Sequence, residues 1–321
     1  MKAVVKKILN QPSFVGNPPV LVDLGASGDF PKPWNLIAPY SICVGFDADT
    51  REFSVSETEN KEWKKLYLIN RLVADRESEE VDFYFTKSPY CSSSLRPNNM
   101  ALQSWAFSSL FEIEKVDKLS SVLLLESLRK VGIDYIDWYK SDTQGADLRI
   151  FDSLPKVIKE KILLAEFEPG IIDAYFGEDK LHQLMAYMDV MPFWISGMDI
   201  KGSHRIDSLD FRNLGFLARR SIGSFLKSAP GWCEIAYINT MEDEKLSRRD
   251  WLLAWLFASI KQEHGFALYL ARLGADKFDD DLFNELYAIS SRSLSPGYVK
   301  YAVRMMCKVA KRFRRSTFHV S

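Results

Sequence analysis

The chain has 321 residues, of which 47% are hydrophobic and 26% are charged, and these values exclude a chain that is disordered throughout. Its net charge of -1 excludes a uniformly basic nucleic-acid-binding domain, and its four scattered cysteines form no Cys-x-x-Cys pair of a structural zinc site. No apolar stretch reaches the roughly 20 residues of a membrane span, and residues 1–10 lack the apolar core of a signal peptide. We therefore expect a soluble, cytoplasmic protein.

The first two thirds of the chain alternate short apolar segments with helical patterns. Strands are predicted at 20–23, 41–47, 63–73, 81–85, 111–116, 134–142, 161–167 and 232–238, and helices at 119–131 and 181–188. This alternation predicts an α/β fold, a mostly parallel, doubly wound sheet with helices on both faces.

The last third is predicted to be helical. One helix follows the capping signature at Ser247 and is expected to end at Gly274, and another opens at Ser295-Pro296. We therefore divide the chain into an α/β domain over 1–240 and a helical C-terminal extension over 241–321. Residues 286–321 contain eight basic residues and no acid. Their helical spacing suits peripheral contact with an anionic membrane or a lipid-linked glycan, although a solvated helix is slightly favoured.

Acidic residues follow several of the predicted strands. Asp23 precedes a glycine-containing turn, Asp47 ends the second strand, Asp75 follows the third, and Asp142 ends a later one. Ligands of open α/β sheets bind outside the carboxyl ends of the strands, so these four acids are expected to meet at one crevice. An acid placed as Asp47 is typical of a group that binds two ribose hydroxyls; its alternative is a helix cap, and that of Asp75 a solvated turn.

Several of these segments together resemble one known family. They are 22–28, 45–49, 70–75, 91–95, 136–147 and 166–169. From about Val20 to Trp194 the chain is similar to FkbM-type methyltransferases, which depend on S-adenosylmethionine. The most specific segment is 136–147, which is similar to the family signature ID-x-x-K-x-D-x-QG-x-E with Asp147 in place of the final Glu. The resemblance implies a class I methyltransferase (Rossmann-like) fold.

The resemblance also implies where S-adenosylmethionine would bind. The methionine part would be held by Asp23, Gly25, Ala26, Ser27 and Gly28. The ribose hydroxyls would be held by Asp47, although the family often has Glu-Pro where this chain has Asp47-Ala48. Ala48, Ala74 and Asp75 would border the adenine, and Gln144 and Gly145 would lie with Asp142 near the sulfonium.

The implied reaction is methyl transfer, most simply to the oxygen of a sugar or a related hydroxylated metabolite. A hydroxyl is a weak nucleophile and needs a general base or a metal. Asp142 is the first candidate base by its position, Glu166 at the end of the next strand is the second, and Lys140 could tune a neighbouring carboxylate. No metal-ligand spacing involves the histidines, so a divalent metal is possible but not indicated.

Two alternatives belong to other functional classes. A nicotinamide-dependent oxidoreductase would carry a Gly-x-Gly-x-x-Gly turn, whereas this chain has Gly25-Ala26-Ser27-Gly28 followed by Asp29. A non-catalytic binding module would keep the α/β fold and recruit a partner or membrane through its basic helical C-terminus.

Overall fold

The structure is a computed structural model that describes residues 1–26, 30–49, 51, 62–294, 301, 305 and 306. The chain divides into two compact units, Met1–Arg249 and Asp250–Ser321. Ser27 and Gly28, expected in the cofactor turn, lie outside the described residues, as does most of the basic helix predicted from Ser295.

The described residues of the first unit form ten strands in two sheets. They are β1 (Val20–Leu24), β2 (Ile42–Phe46), β3 (Lys65–Ile69), β4 (Leu72–Val73), β5 (Ser78–Thr86), β6 (Ile113–Val122), β7 (Trp138–Ser141), β8 (Leu164–Phe167), β9 (Phe193–His204) and β10 (Ser228–Asn239). The central sheet has the order β3-β2-β1-β7-β8-β10-β9, and a second sheet has the order β4-β6-β5. Strands β3, β2, β1, β7 and β8 are parallel, whereas β10 is antiparallel to both β8 and β9.

Nine α-helices lie wholly within the described residues of the first unit. They are α1 (Lys2–Leu9), α2 (Pro12–Gly16), α3 (Asn99–Leu102), α4 (Leu124–Lys130), α5 (Asp147–Ser153), α6 (Lys156–Lys159), α7 (Leu181–Met188), α8 (Ser208–Asn213) and α9 (Phe216–Phe225). Helices flank the mostly parallel central sheet, so the predicted α/β, Rossmann-like architecture is confirmed at this level.

The core of the first unit lies against the parallel strands. Every residue of β1 is buried, as expected for a continuous apolar strand covered on both faces. On one face Tyr139, Phe151 and Phe167 form a cluster with ring centroids 5.2–5.6 Å apart. These contacts pack α5 against β7 and β8, and the candidate site lies at the ends of these strands.

Several predicted elements of the first unit have different bounds in the structure, and some elements were not predicted. The segment predicted as one strand over 63–73 forms β3 and β4, which belong to different sheets. The helix predicted over 119–131 begins only at Leu124, because the residues before it continue β6 and pair with β5. Strand β9 and helices α8 and α9 were not predicted. They occupy much of the segment 190–231, where the spacing of apolar residues matches neither the period of a strand nor that of a helix clearly.

The second unit contains α11 (His264–Phe278) and α12 (Asp281–Leu294), together with most of α10 (Arg248–Ile260). The single helix predicted over 247–273 is two helices, separated by a break in which Gln262 has a φ of 66°. Gly274 does not end a helix: it lies within α11, and a Cβ there would be 2.4 Å from Phe283 Cδ1. The glycine therefore permits α11 and α12 to pack closely.

Within the part of the chain that the structure describes, no helix has the length and apolar character needed to cross a bilayer.

Candidate functional site

Two adjoining cavities lie at the carboxyl ends of the parallel strands, within the first unit. The first is bordered by the ends of β1 and β2, by β4 and by the loop after β7; its lining includes Gly25, Asp47, Ala48, Leu72, Val73 and Phe83. The first has a volume of about 70 Å³ and the second one of about 490 Å³, so that the second alone lies within the usual range of small-molecule sites. Tyr90, Asp142 and Gln144 line both cavities. A ligand in one cavity would therefore meet a ligand in the other at the loop after β7.

Gly25 joins the end of β1 to the Asp142 loop. Its φ is 81°, and a Cβ at this position would lie 2.0 Å from the main-chain oxygen of Asp142. The amide nitrogens of Gly25 and Ala26 both donate to the Phe46 oxygen, at 2.9 and 3.0 Å. A residue without a side chain is therefore required where the ends of three strands come together.

Asp47 follows β2 and faces the first cavity. Its Oδ1 accepts a hydrogen bond from the amide of Asp49 at 2.7 Å, and its main-chain oxygen accepts one from Asn70 Nδ2 at 2.8 Å. Burial raises the pKa of Asp47 to about 7, and the neighbouring carboxylates Asp49 and Asp142 add to this effect. The position predicted for a ribose-binding acid thus holds a partly buried carboxyl whose pKa is raised to about 7.

Aromatic and apolar residues from the second sheet complete the first cavity. Leu72, Val73 and Phe83 form an apolar wall opposite Asp47. Ala74 and Asp75, which were expected to border the adenine, are not among the residues that line the cavity, and Asp75 is exposed. The wall comes from Leu72 and Val73, which form β4 just before Ala74, and from Phe83 on β5.

Hydrogen bonds from its own side chains and from Tyr175 hold the loop that carries Asp142. Gln144 Nε2 donates to Asp142 Oδ1 at 2.6 Å, and the Tyr175 hydroxyl donates to Gln144 Oε1 at 3.0 Å. Gln144 has a φ of 56° and Gly145 a φ of 106°, so the chain turns sharply here. Asp147 accepts hydrogen bonds from the Thr143 amide and hydroxyl, both at 3.0 Å, and fixes the far end of the loop. The most specific sequence motif therefore builds one rigid turn.

Glu168 lies beside Asp142 and lines the second cavity. Burial raises the pKa of both carboxyls, and the negative charge of Asp142 raises that of Glu168 further. Lys140 and the Gln144 amide favour the ionised form of Asp142. Near neutral pH we therefore expect Glu168 to keep its proton and Asp142 to carry the charge.

Lys140 and Glu166 lie in a charged row across the sheet. Asp23 on β1, Lys140 on β7 and Glu166 on β8 are in register, and Lys140 Nζ is 2.8 Å from Asp23 Oδ1. Glu166 Oε2 accepts a hydrogen bond from Trp138 Nε1 at 2.7 Å. Neither cavity lining includes these three residues, so they support the sheet beneath the site, and Lys140 lies close enough to Asp142 to stabilise its charge.

Aromatic side chains form one wall of the second cavity. Phe107 contacts Phe111 and Trp232, with ring centroids 5.5 and 6.1 Å apart, and Phe111 contacts Tyr175 at 5.6 Å. These rings come from three separated parts of the chain, around residues 107–111, 175 and 232, which is why no local motif predicted the cavity. The cavity combines an apolar wall with a polar end formed by Asp142, Gln144 and Glu168.

Among the described residues, no group of three or more His, Cys, Asp or Glu is arranged to hold a metal ion. Comparison of the chain with protein-family models, with curated proteins and with solved structures gives no match.

Proposed function

We propose that this protein is an S-adenosylmethionine-dependent methyltransferase, with a hydroxyl group of a sugar or a related metabolite as the acceptor. The observation that carries the proposal is the pair of cavities that share Asp142 and Gln144. A group-transfer enzyme needs two ligands whose reacting atoms face each other, and two cavities that meet at one charged loop satisfy that requirement.

The first cavity has the chemistry that an adenosine group requires. The Asp47 carboxylate can accept hydrogen bonds from the two ribose hydroxyls, and Leu72, Val73 and Phe83 offer an apolar surface to the adenine ring. Gly25 keeps the strand end free of a side chain where a ligand approaches the main chain. The residues present thus fit the cofactor that the sequence resemblance implies.

The sheet order also bears on the choice of cofactor. The dinucleotide-binding order is 3-2-1-4-5-6, whereas here the antiparallel β10 separates β8 from β9. The sheet therefore differs from the dinucleotide-binding sheet, and the turn after β1 lacks the Gly-x-Gly-x-x-Gly sequence of dinucleotide sites. Both features favour S-adenosylmethionine over a nicotinamide cofactor.

Asp142 is the residue that we propose as general base. When bound, S-adenosylmethionine supplies an electrophilic methyl group, so the protein has to orient the acceptor and remove its proton. Asp142 faces both cavities, and Gln144 orients its carboxylate. Glu168, which keeps a proton, would hold an acceptor oxygen by donating a hydrogen bond, while Lys140 stabilises the charged form of Asp142.

Calorimetric titration with S-adenosylmethionine tests the cofactor site. We expect micromolar binding by the wild-type protein, a loss of at least about tenfold in Asp47→Ala, and unchanged affinity in the matched control Asp75→Ala. Release of S-adenosylhomocysteine in the presence of a panel of hydroxylated glycans and metabolites then identifies the acceptor. Absence of binding by a folded wild-type protein would contradict the proposal and favour the non-catalytic binding module.

A further inference from the structure

Residues 205–227 form an insertion between β9 and β10 of the central sheet. Helices α8 and α9 occupy residues 208–225 of this insertion, and three large apolar side chains on them are exposed to solvent. The exposed fractions are 65% for Leu209, 67% for Phe216 and 77% for Leu217. Phe216 and Leu217 are consecutive in α9, so they form a continuous exposed apolar pair, which is the kind of surface that contacts another molecule.

Basic residues lie next to the exposed apolar pair of α9. Arg219 is three residues and Arg220 four residues after Phe216, a spacing that places them beside it on the helix surface. Both arginines are exposed. Over residues 205–227 there are five basic and two acidic residues, a balance of +3 in a chain whose total is -1. The exposed surface therefore combines apolar side chains with positive charge.

We propose that α9 docks this protein on an anionic lipid bilayer. Phe216 and Leu217 would enter the boundary between the headgroups and the acyl chains, and Arg219 and Arg220 would contact lipid phosphates. Apolar residues with flanking basic residues on one short helix are the pattern of interfacial helices, which lie on a membrane and do not cross it. The positive balance of the insertion favours an anionic bilayer over a second copy of this net-acidic chain.

The insertion is joined to the wall of the second cavity. Gly202 and Ser203 on β9 and Gly231 and Trp232 on β10 line that cavity and lie beside the two ends of the insertion. The Ser208 amide also donates to the Gln103 oxygen at 3.0 Å. The insertion thus begins and ends at strands that form this cavity, which suits an acceptor that is anchored in a membrane.

Co-sedimentation of the full chain with vesicles tests the proposal. We expect binding to vesicles that contain phosphatidylserine, little binding to pure phosphatidylcholine, and weakening by salt. Phe216→Ser/Leu217→Ser should lower binding at least about tenfold. Arg219→Ala/Arg220→Ala should lower it roughly 30-fold, because each basic residue contributes about 1 kcal/mol at an anionic surface. Since all four side chains are exposed, the variants should fold as the wild type does.

Matched controls test whether the loss of vesicle binding is specific to α9 or follows from removing any exposed apolar side chains or positive charges. Val157→Ser/Val190→Ser removes two exposed apolar side chains elsewhere, and Lys130→Ala/Lys156→Ala removes two exposed charges elsewhere; both controls should bind like the wild type. Three results would overturn the proposal: no binding of the wild type to anionic vesicles, equal binding by the α9 variants, or loss of a self-associated state in these variants without any change in vesicle binding. Equal vesicle binding by the wild type and the α9 variants would indicate that another region, such as the basic C-terminal segment, makes the contact.

Discussion

Replacing Asp47 by Asn is expected to stabilise the protein and to weaken cofactor binding. Folding raises the pKa of this carboxyl from 3.8 to about 7, chiefly because burial penalises its charge. Between these values the folded protein binds more protons than the unfolded chain does, so the free energy of unfolding falls as pH rises through that window. The stabilising contribution of the neutral carboxyl is therefore complete at low pH and lost by about pH 8.

The size of the effect follows from the same pKa values. At about 1.4 kcal/mol per pKa unit, the ionised carboxyl costs the wild-type protein at most about 4 kcal/mol at pH 8. Partial solvent screening reduces this to about 3 kcal/mol, and to about 1 kcal/mol at pH 5. Asparagine has nearly the same shape and keeps an oxygen that can accept a hydrogen bond from the Asp49 amide. The Asp47→Asn substitution should therefore raise the free energy of unfolding by about 3 kcal/mol at pH 8 and about 1 kcal/mol at pH 5.

Urea unfolding at pH 5 and pH 8 measures the stability, and calorimetry measures the affinity for S-adenosylmethionine at pH 8. We expect the stability gain of Asp47→Asn to grow with pH while its affinity falls by about 10- to 100-fold, because a charged acceptor for the ribose hydroxyls is lost. Asp75→Asn, at an exposed site, serves as the control for both measurements. A variant that is less stable than the wild type at pH 8, or a gain that does not change with pH, would refute the reasoning.

Three further predictions concern packing and catalysis. Gly25→Ala should lower the free energy of unfolding by at least about 2 kcal/mol in urea and abolish cofactor binding in calorimetry, because a Cβ would strike the Asp142 main chain; a stable, binding-competent variant would contradict this. Asp142→Asn should lower kcat for the acceptor found in the screen by about 100-fold or more, and Glu168→Gln by less; equal losses would remove the distinction between base and hydrogen-bond donor. Gly274→Ala should cost about 1–3 kcal/mol in thermal unfolding through its contact with Phe283, and an unchanged midpoint would count against that contact.

Strand ends were the part of the site that could be predicted from sequence. Asp47 and Asp142 each follow a predicted strand, and a parallel sheet brings the carboxyl ends of its strands to one edge. The same reasoning selected Glu166, whereas Glu168 lines the cavity. The two glutamates alternate along one segment, so the choice depends on where the strand ends; β8 ends at Phe167, which leaves Glu168 at the edge and Glu166 within the sheet.

Other parts of the site depend on contacts that the sequence does not encode locally. Ala74 and Asp75 were expected at the adenine from the family resemblance, and Asp75 also because it follows the strand predicted over 63–73; that segment divides between two sheets. The aromatic wall of the second cavity joins Phe107, Phe111, Tyr175 and Trp232. These residues belong to segments whose proximity arises from tertiary packing, which single-sequence periodicity does not report.

A crystal structure with bound S-adenosylhomocysteine tests the central claim most directly. The account predicts that the ribose hydroxyls lie within hydrogen-bonding distance of Asp47, that the adenine contacts Val73 or Phe83, and that the sulfur points toward Asp142 and the second cavity. A ligand bound elsewhere in the molecule, or in the first cavity with its sulfur directed away from Asp142, would contradict it.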